Sequence, residues 1–397
     1  MASFLMKAFS NIDMGEAMYF ALVLTVVNVV GLAIVGYAIG YIFTSPEPET
    51  VGKVKSIIVY PLKSARGVQV KAHSLDARGL TFDRQWMVVD EHSNFLSQRR
   101  SPRLALVEVA LPTSQDAPLK VSAPSMKGTA DLEVPAVRVA KDGHTKRKVR
   151  VWDDRVDAID QGDAAAAWFA AVLGVEGARL MRMADGATRP VSRKYAPRGT
   201  LTTLNDGFPL LLANESSLDE LNDRLQKRGK QTIPMDRFRP NLVVGSGVGV
   251  TPEPFAEDGW AHIAVGSDAQ FGVVKPCARC KMPTINQSTG VPDQQASNAS
   301  VVSAEAKDMK DDDRDEGGGP APEAEPTATL RTFRSGSKLG YAKPGWKSDV
   351  FFGQNILIHT PGVALKVGDT VVATPRRPRG WFSRGIRGVD YDAGKSD

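Results

Sequence analysis

Residues 56 to 64 read SIIVYPLKS, and this stretch decides the fold. Ile57, Ile58 and Val59 favour extended backbone, and Pro61 ends the run because it has no N–H to give a sheet ladder. The result is a strand over Ser56 to Tyr60 that delivers Lys63 and Ser64 into the following turn. The same pattern recurs outward along the chain, at Gln85 to Asp90, Leu104 to Leu111, Val149 to Trp152, Asp349 to Ile358 and Val371 to Ala373. Short strands separated by Gly, Pro and Asp predict a barrel or sandwich. Helices are fewer. Ala164 to Leu173 follows Asp163 as N-cap and ends at Gly174, and Glu215 to Leu225 follows Asn214 with Leu218, Leu221 and Leu225 on one face. The fold class is mainly β with α elements that cover the sheets.

The chain has 397 residues, with 50 Lys and Arg against 45 Asp and Glu. This mixture excludes a wholly disordered chain and a polytopic membrane protein, and the length suits two domains. Ala17 to Phe43 nevertheless holds no charged residue, and as a helix it covers roughly 40 Å against a hydrocarbon core of about 30 Å. Asp13 and Glu16 precede the run and Pro46 follows it, so it reads as an uncleaved single-pass membrane anchor and not as a removed signal. Lys53, Lys55 and Lys63 beyond the run, against Lys7 before it, place the bulk of the chain in the cytosol. The cysteine content agrees: Cys277 and Cys280 are the only two and lie too close together to staple distant parts of a fold.

From Val291 to about Thr329 the composition turns acidic and poor in large apolar residues, with DDDRDE at 311 to 316 and GGGPAP at 317 to 322. Such a segment cannot offset its ordering entropy and is expected to be a disordered insertion within a domain, since strand-like patterning resumes beyond it. The tail from Arg376 to Arg387 carries five Arg and no acid. It reads as a solvated tail, or as a segment touching anionic lipid through Trp381 and Phe382. Nucleic acid is a poor partner for so few arginines.

The chemistry centres on PCARCKMPTIN, residues 276 to 286. A CxxC admits a redox dithiol, half of a zinc site, or one metal-ligating thiolate beside a bystander, and two buried thiols without chemistry are the plain alternative. No second CxxC and no paired His spacing supports zinc, and Pro283 breaks the helix that a thioredoxin-like pair needs. Lys275, Arg279 and Lys281 favour a thiolate, which serves a nucleophile and a metal ligand equally. Three further clusters sit at strand ends: YPLKS at 60 to 64 with Lys63 and Ser64, FDRQW at 82 to 86 with Arg84, and RFRPN at 237 to 241 with Arg239 and Asn241. Together they supply the guanidinium, ammonium and hydroxyl donors that a phosphate needs, although each alone reads as a surface ion pair. No phosphate-binding glycine loop competes with them.

In this order YPLKS, FDRQW, FRPN and PCARCxxPTIN resemble the MOSC-domain proteins, specifically the amidoxime-reducing type with a MOSC N-terminal β-barrel domain. The resemblance implies 1–16 as a short leader, 17–43 as the anchor and 44–52 as a linker. A β-barrel-like N-terminal domain over 53–185 then precedes a β-barrel MOSC domain over 186–375, interrupted at 291–329, and 376–397 forms the tail. It implies a molybdenum cofactor, Mo-molybdopterin, with Cys280 as the metal ligand and Lys63, Ser64, Arg84, Arg239 and Asn241 as contacts. Cys280 and Asn241 fall to the catalytic centre, and Cys277 is a bystander. Asp206, Gly207 and Phe208 stand where relatives often carry small hydroxyl residues, which is a departure, as is the long insertion.

The implied reaction removes oxygen from a small N-hydroxylated compound such as an amidoxime. Electrons come from a b-type cytochrome and its NADH-dependent reductase, since no haem or flavin motif is visible. The implied location is the mitochondrial outer membrane. Two alternatives stay open: a persulfide-carrying sulfur-transfer protein, although no lysine-anchored pyridoxal phosphate domain is recognisable, and a cofactor-binding protein without turnover.

Overall fold

The computed structural model describes residues 14–43, 46–140, 145–293 and 323–376. The chain divides into two units, and residues 48–375 belong to one of them. In the other, Met14–Phe43 forms a single helix of 30 residues. Its described side chains run unbroken only from 21 to 36, all exposed. Among the described residues no helix is long and apolar enough to cross a membrane. The anchor expected over 17–43 therefore remains a proposal. The bulk of the acidic insertion and the basic tail beyond 376 lie outside the described residues.

The larger unit is built around a closed barrel of seven strands. Its order is Glu49–Val59, Leu242–Gly245, Leu210–Asn214, Phe351–Ile358, Ala269–Ala278, Trp260–Val265 and Thr370–Pro375, which returns to Glu49–Val59. The first strand belongs to this barrel although its sequence neighbours build the other lobe. A register shift between Val54 and Ser56 turns both Val54 and Ile57 inward against the simple alternation of a strand. They join Leu212, Leu242, Val244, Phe271, Val273, Ile356 and Val371 in the barrel interior. Gly52 sits where the wall closes, with φ of 155° and Gly245 O only 2.2 Å from where a Cβ would stand. Only glycine allows that approach.

Leu210–Asn214 and Leu242–Gly245 pair in parallel, so the chain must cross over between them. The helix Glu215–Lys227 makes the crossing, capped by Asn214, whose Oδ1 accepts from Ser216 N–H at 3.1 Å. Leu221 and Leu225 bury against Phe238, Phe352 and Leu330. Leu330 comes from a second helix, Thr327–Arg334. The expected disordered insertion therefore meets ordered, packed chain at its C-terminal end.

The first lobe contains a four-stranded antiparallel sheet, Trp86–Val89, Arg179–Met183, Asp154–Asp160 and Lys146–Val151, and a three-stranded sheet, Glu108–Ala110, Leu119–Ser122 and Leu132–Val134. The helix Asp163–Leu173 packs Phe169 and Val172 against Trp86, Val88 and Leu180. It ends at Gly174 in the left-handed conformation, as its sequence predicts, but Gly162 is its N-cap and Asp163 its first residue. Arg179 Nη2 donates to the Asp163 carboxylate at 2.8 Å. The strand expected over Leu104 to Leu111 is a 3₁₀ turn at Pro102–Leu106 followed by a short strand. Pro102 at the head of that turn supplies a φ already suited to a helical start.

Candidate functional site

The strand Glu49–Val59 leaves the barrel at Tyr60 and enters the first lobe, so the loop carrying Lys63 and Ser64 lies where the two lobes meet. Lys63, Ser64, Arg84, Arg239, Asn241 and Cys280 all line one cleft there, together with Cys277. Distances across it place its residues in three groups.

The first group surrounds a buried carboxylate. Asp83 accepts from Tyr60 N–H at 2.8 Å, from Arg84 Nη1 at 2.6 Å and from Asn241 Nδ2 at 3.1 Å. Burial pushes its carboxyl up, opposed chiefly by Arg84. Asn241 donates its other amide hydrogen to Ile58 O at 3.0 Å, and its Oδ1 accepts from Arg84 Nη1 at 2.9 Å and Leu211 N–H at 3.2 Å. Both ends of this amide are occupied, so Asn241 braces Arg84 and ties the barrel to the loop. The place beside the metal expected of it remains a proposal, and Asn241 does line the cleft.

The second group is cationic. The guanidiniums of Arg84 and Arg239 lie 4.2 and 4.3 Å from the Tyr60 ring centre. Tyr60 O–H donates to Pro240 O at 3.2 Å, and burial pushes its phenol up to about 12. Arg239 is buried, yet its Nη2 has no hydrogen-bond partner. Burial, reinforced by the charge of Arg84, lowers Arg239 to about 10. A buried, unsatisfied guanidinium N–H on a residue that lines a cleft is costly unless an anion meets it. Lys63, buried in the cleft lining, donates to Asp206 Oδ1 at 2.6 Å, and Trp152 Nε1 donates to the same oxygen at 3.1 Å. Burial raises the Asp206 carboxyl, but the charge and hydrogen bond of Lys63 outweigh it and hold the group well below the usual carboxylate range.

The third group is the thiol loop. Cys277 and Cys280 are both free, and Cys280 is exposed to the cleft. Met282 N–H donates to Cys280 Sγ at 3.4 Å, while Arg279 Nη1 donates to Cys277 Sγ at 3.0 Å. The loop is fixed to the Lys63 turn across the cleft. Gln98 Nε2 donates to Ser64 O and to Gln287 Oε1, each at 2.8 Å, and Gln287 Nε2 returns a bond to Gln98 Oε1 at 2.8 Å.

Backbone geometry marks the same place. Ser64, Arg84, Trp152 and Arg239, all lining the cleft, have positive φ without being glycine. Strain of this kind persists where surrounding contacts over-determine it. For Arg84 that contact is its own N–H donating to Tyr60 O at 2.7 Å. The sequence motifs locate six cleft residues but pass over Asp83, Trp152 and the pairing role of Asp206. Asp83 was legible as the acid beside Arg84 in FDRQW. Trp152 reaches the cleft only through the fold.

The donor set fits a dithiolene cofactor with a terminal phosphate. It offers an exposed thiol for a soft metal, and in the same lining an orphaned guanidinium and a buried ammonium for the anion.

Comparison with known proteins gives the class. The MOSC N-terminal beta barrel domain matches residues 51–176 and the MOSC domain matches residues 200–372. Mitochondrial amidoxime-reducing component 1 of Mus musculus is 30% identical over 331 residues, covering 81% of this chain and 82% of that protein. The Homo sapiens protein of the same name is 29% identical over 335 residues, covering 81% and 83%. The molybdenum cofactor sulfurase of Homo sapiens is 30% identical over 267 residues, covering 64% of this chain but 29% of that protein. The chain belongs to the MOSC-domain proteins that carry a MOSC N-terminal domain, the family of the mitochondrial amidoxime-reducing components.

Proposed function

We propose that the protein is a molybdenum-cofactor oxidoreductase that reduces N-hydroxylated compounds of the amidoxime type. The observation that carries this reading is that the exposed Cys280 thiol and Arg239, whose Nη2 is unpartnered, line one cleft. When bound, the cofactor supplies a metal that exchanges electrons and an oxygen atom with substrate. Cys280 holds the metal as thiolate. Arg239, Arg84 and Lys63 receive the phosphate, and Ser64 offers a hydroxyl beside them. Asp83 and Asn241 keep Arg84 in place, and Arg279 holds Cys277 away from ligation by donating to its sulfur. The overall change takes an amidoxime, two electrons and two protons to an amidine and water.

No haem or flavin motif is visible in the sequence, so the electrons come from outside, in this reading from a b-type cytochrome and its NADH-dependent reductase. The uncharged run 17–43 supports a membrane anchor with the bulk facing the cytosol, and the names of the relatives support the mitochondrial outer membrane. Full chain loaded with cofactor and supplied with reduced cytochrome is expected to reduce benzamidoxime. Cys280→Ala abolishes turnover, while Cys277→Ala retains most of it. Equal loss in both variants rejects the single-thiolate assignment.

A second reading, sulfur transfer, is favoured by one contact: the Arg279 guanidinium at 3.0 Å from Cys277 Sγ stabilises a thiolate or persulfide. Mass spectrometry of protein treated with a sulfur donor separates the two. A persulfide on Cys277 without amidoxime turnover favours sulfur transfer.

A further inference from the structure

The cleft continues past Asp206, Gly207 and Phe208 into a second recess, which shares those residues and Trp152 with it. One wall of this recess carries Lys194, Lys275 and Lys343. None of the three ammonium groups makes an ion pair among the described residues. The acids of the recess are largely engaged: Asp154 accepts from Arg189 Nε at 2.7 Å and Asp206 from Lys63 at 2.6 Å, which leaves Asp153. Asp349 acts on Lys275 and Lys343 through its charge, outside ion-pair distance.

Aromatic rings hold the lysines in one arc. Lys275 Nζ lies 5.2 Å from the ring centre of Tyr195, 5.7 Å from Phe208 and 5.8 Å from Trp346. Lys194 lies 5.8 Å from Tyr195, and Lys343 lies 5.4 Å from Trp346. Ring faces attract an ammonium but leave its charge in place. Burial disfavours the charged form of Lys275, which is half-buried. Lys275 stands on the strand Ala269–Ala278, two residues before Cys277. One piece of backbone therefore sets the spacing between the recess and the thiol loop.

We infer that this recess is a specificity pocket for the anionic end of a flat aromatic substrate, a carboxylate meeting Lys194, Lys275 and Lys343 while the N–O group points toward Cys280. Phe208 and Trp152, which line both the cleft and the recess, supply apolar wall beside the aromatic body. The inference rests on the reductase reading for the reaction, but the pocket is testable without it.

The first measurement is binding of benzoate and of its neutral isostere benzamide to the full-length, cofactor-loaded protein, by saturation-transfer NMR at low salt. Benzoate is expected to bind about tenfold tighter, and Lys275→Gln to erase the preference. Lys194→Gln with Lys343→Gln, nearer the surface, must do the same, which guards against misfolding of the Lys275 variant. Equal binding of the two probes, or an unchanged preference in both variants, overturns the inference. The second measurement is the KM of benzamidoxime and of its para-carboxylate. The carboxylate is expected to show the lower KM, a difference that Lys194→Gln with Lys343→Gln removes without changing kcat for benzamidoxime. Turnover of both compounds with the same KM overturns the specificity pocket alone. Benzoate binding with no turnover of either compound upholds the anion recess and overturns the reductase reading.

Discussion

Asp83 accepts hydrogen bonds from Tyr60, Arg84 and Asn241, each in a different motif of the sequence, and a longer one from Asn205 at 3.5 Å. The carboxylate therefore joins the strand that begins the barrel, the loop of the first lobe and the loop before Leu242. Removing one partner of such a buried pair leaves the other uncompensated, so Asp83→Ala should destabilise the protein by about 3–5 kcal/mol in urea unfolding. A loss under 1 kcal/mol would show that the network is not structural. Glu257 gives a second prediction at this scale. It is fully buried, with Ser217 Oγ donating to it at 3.0 Å, and burial, with the charge of Asp258 adding, pushes its carboxyl up to about 7. The folded state binds this proton more tightly than the unfolded state. The group's favourable effect is thus full below the ordinary Glu value of 4.5 and is lost as pH rises through about 7. Glu257→Gln should flatten that decline, recovering on the order of 3 kcal/mol at pH 8 relative to pH 4.5, as read from urea midpoints at each pH. A parallel pH dependence in both proteins would contradict it. Motif reading found Lys63, Ser64, Arg84, Arg239, Asn241 and Cys280 because each sits in a run of unusual polar residues at a strand end. It missed what they bind to. Hydrogen-bond partners such as Asp83 and Asn241 are 158 positions apart, and no local pattern encodes that separation.

At the scale of elements, strands were legible where β-branched residues alternate with polar ones and end at Pro or Gly. The helix Glu215–Lys227 was legible from its Asn214 cap and its leucine face. The turn at Pro102–Leu106 was not, because its apolar residues pack into the first-lobe core without a period that separates strand from helix. Strand partners were not legible either. Glu49–Val59 looks like the start of the first lobe by sequence and closes the barrel by pairing with Leu242–Gly245 on one side and Thr370–Pro375 on the other. Gly52 is the point where that closure is tightest. Gly52→Ala should cost about 1–3 kcal/mol, since the new methyl must displace the Gly245 carbonyl. Thermal unfolding checks it, and an unchanged midpoint would mean that the wall relaxes without strain.

For the whole molecule, the site exists only once distant parts of the chain have met. The barrel needs residues 49–59 and 370–375 together, and the cleft needs the Lys63 turn braced against the thiol loop through Gln98 and Gln287. On either side of residues 294–322, Asp293 accepts from Arg237 Nη1 at 3.0 Å and Glu323 Oε2 accepts from Arg331 Nε at 2.6 Å. X-ray absorption at the molybdenum edge, on full-length protein made in a host that supplies the pterin, tests the central assignment most directly. The expected result is stoichiometric molybdenum with a protein sulfur ligand that is present in Cys277→Ala and lost in Cys280→Ala. A spectrum unchanged by Cys280→Ala, or altered only by Cys277→Ala, would contradict it.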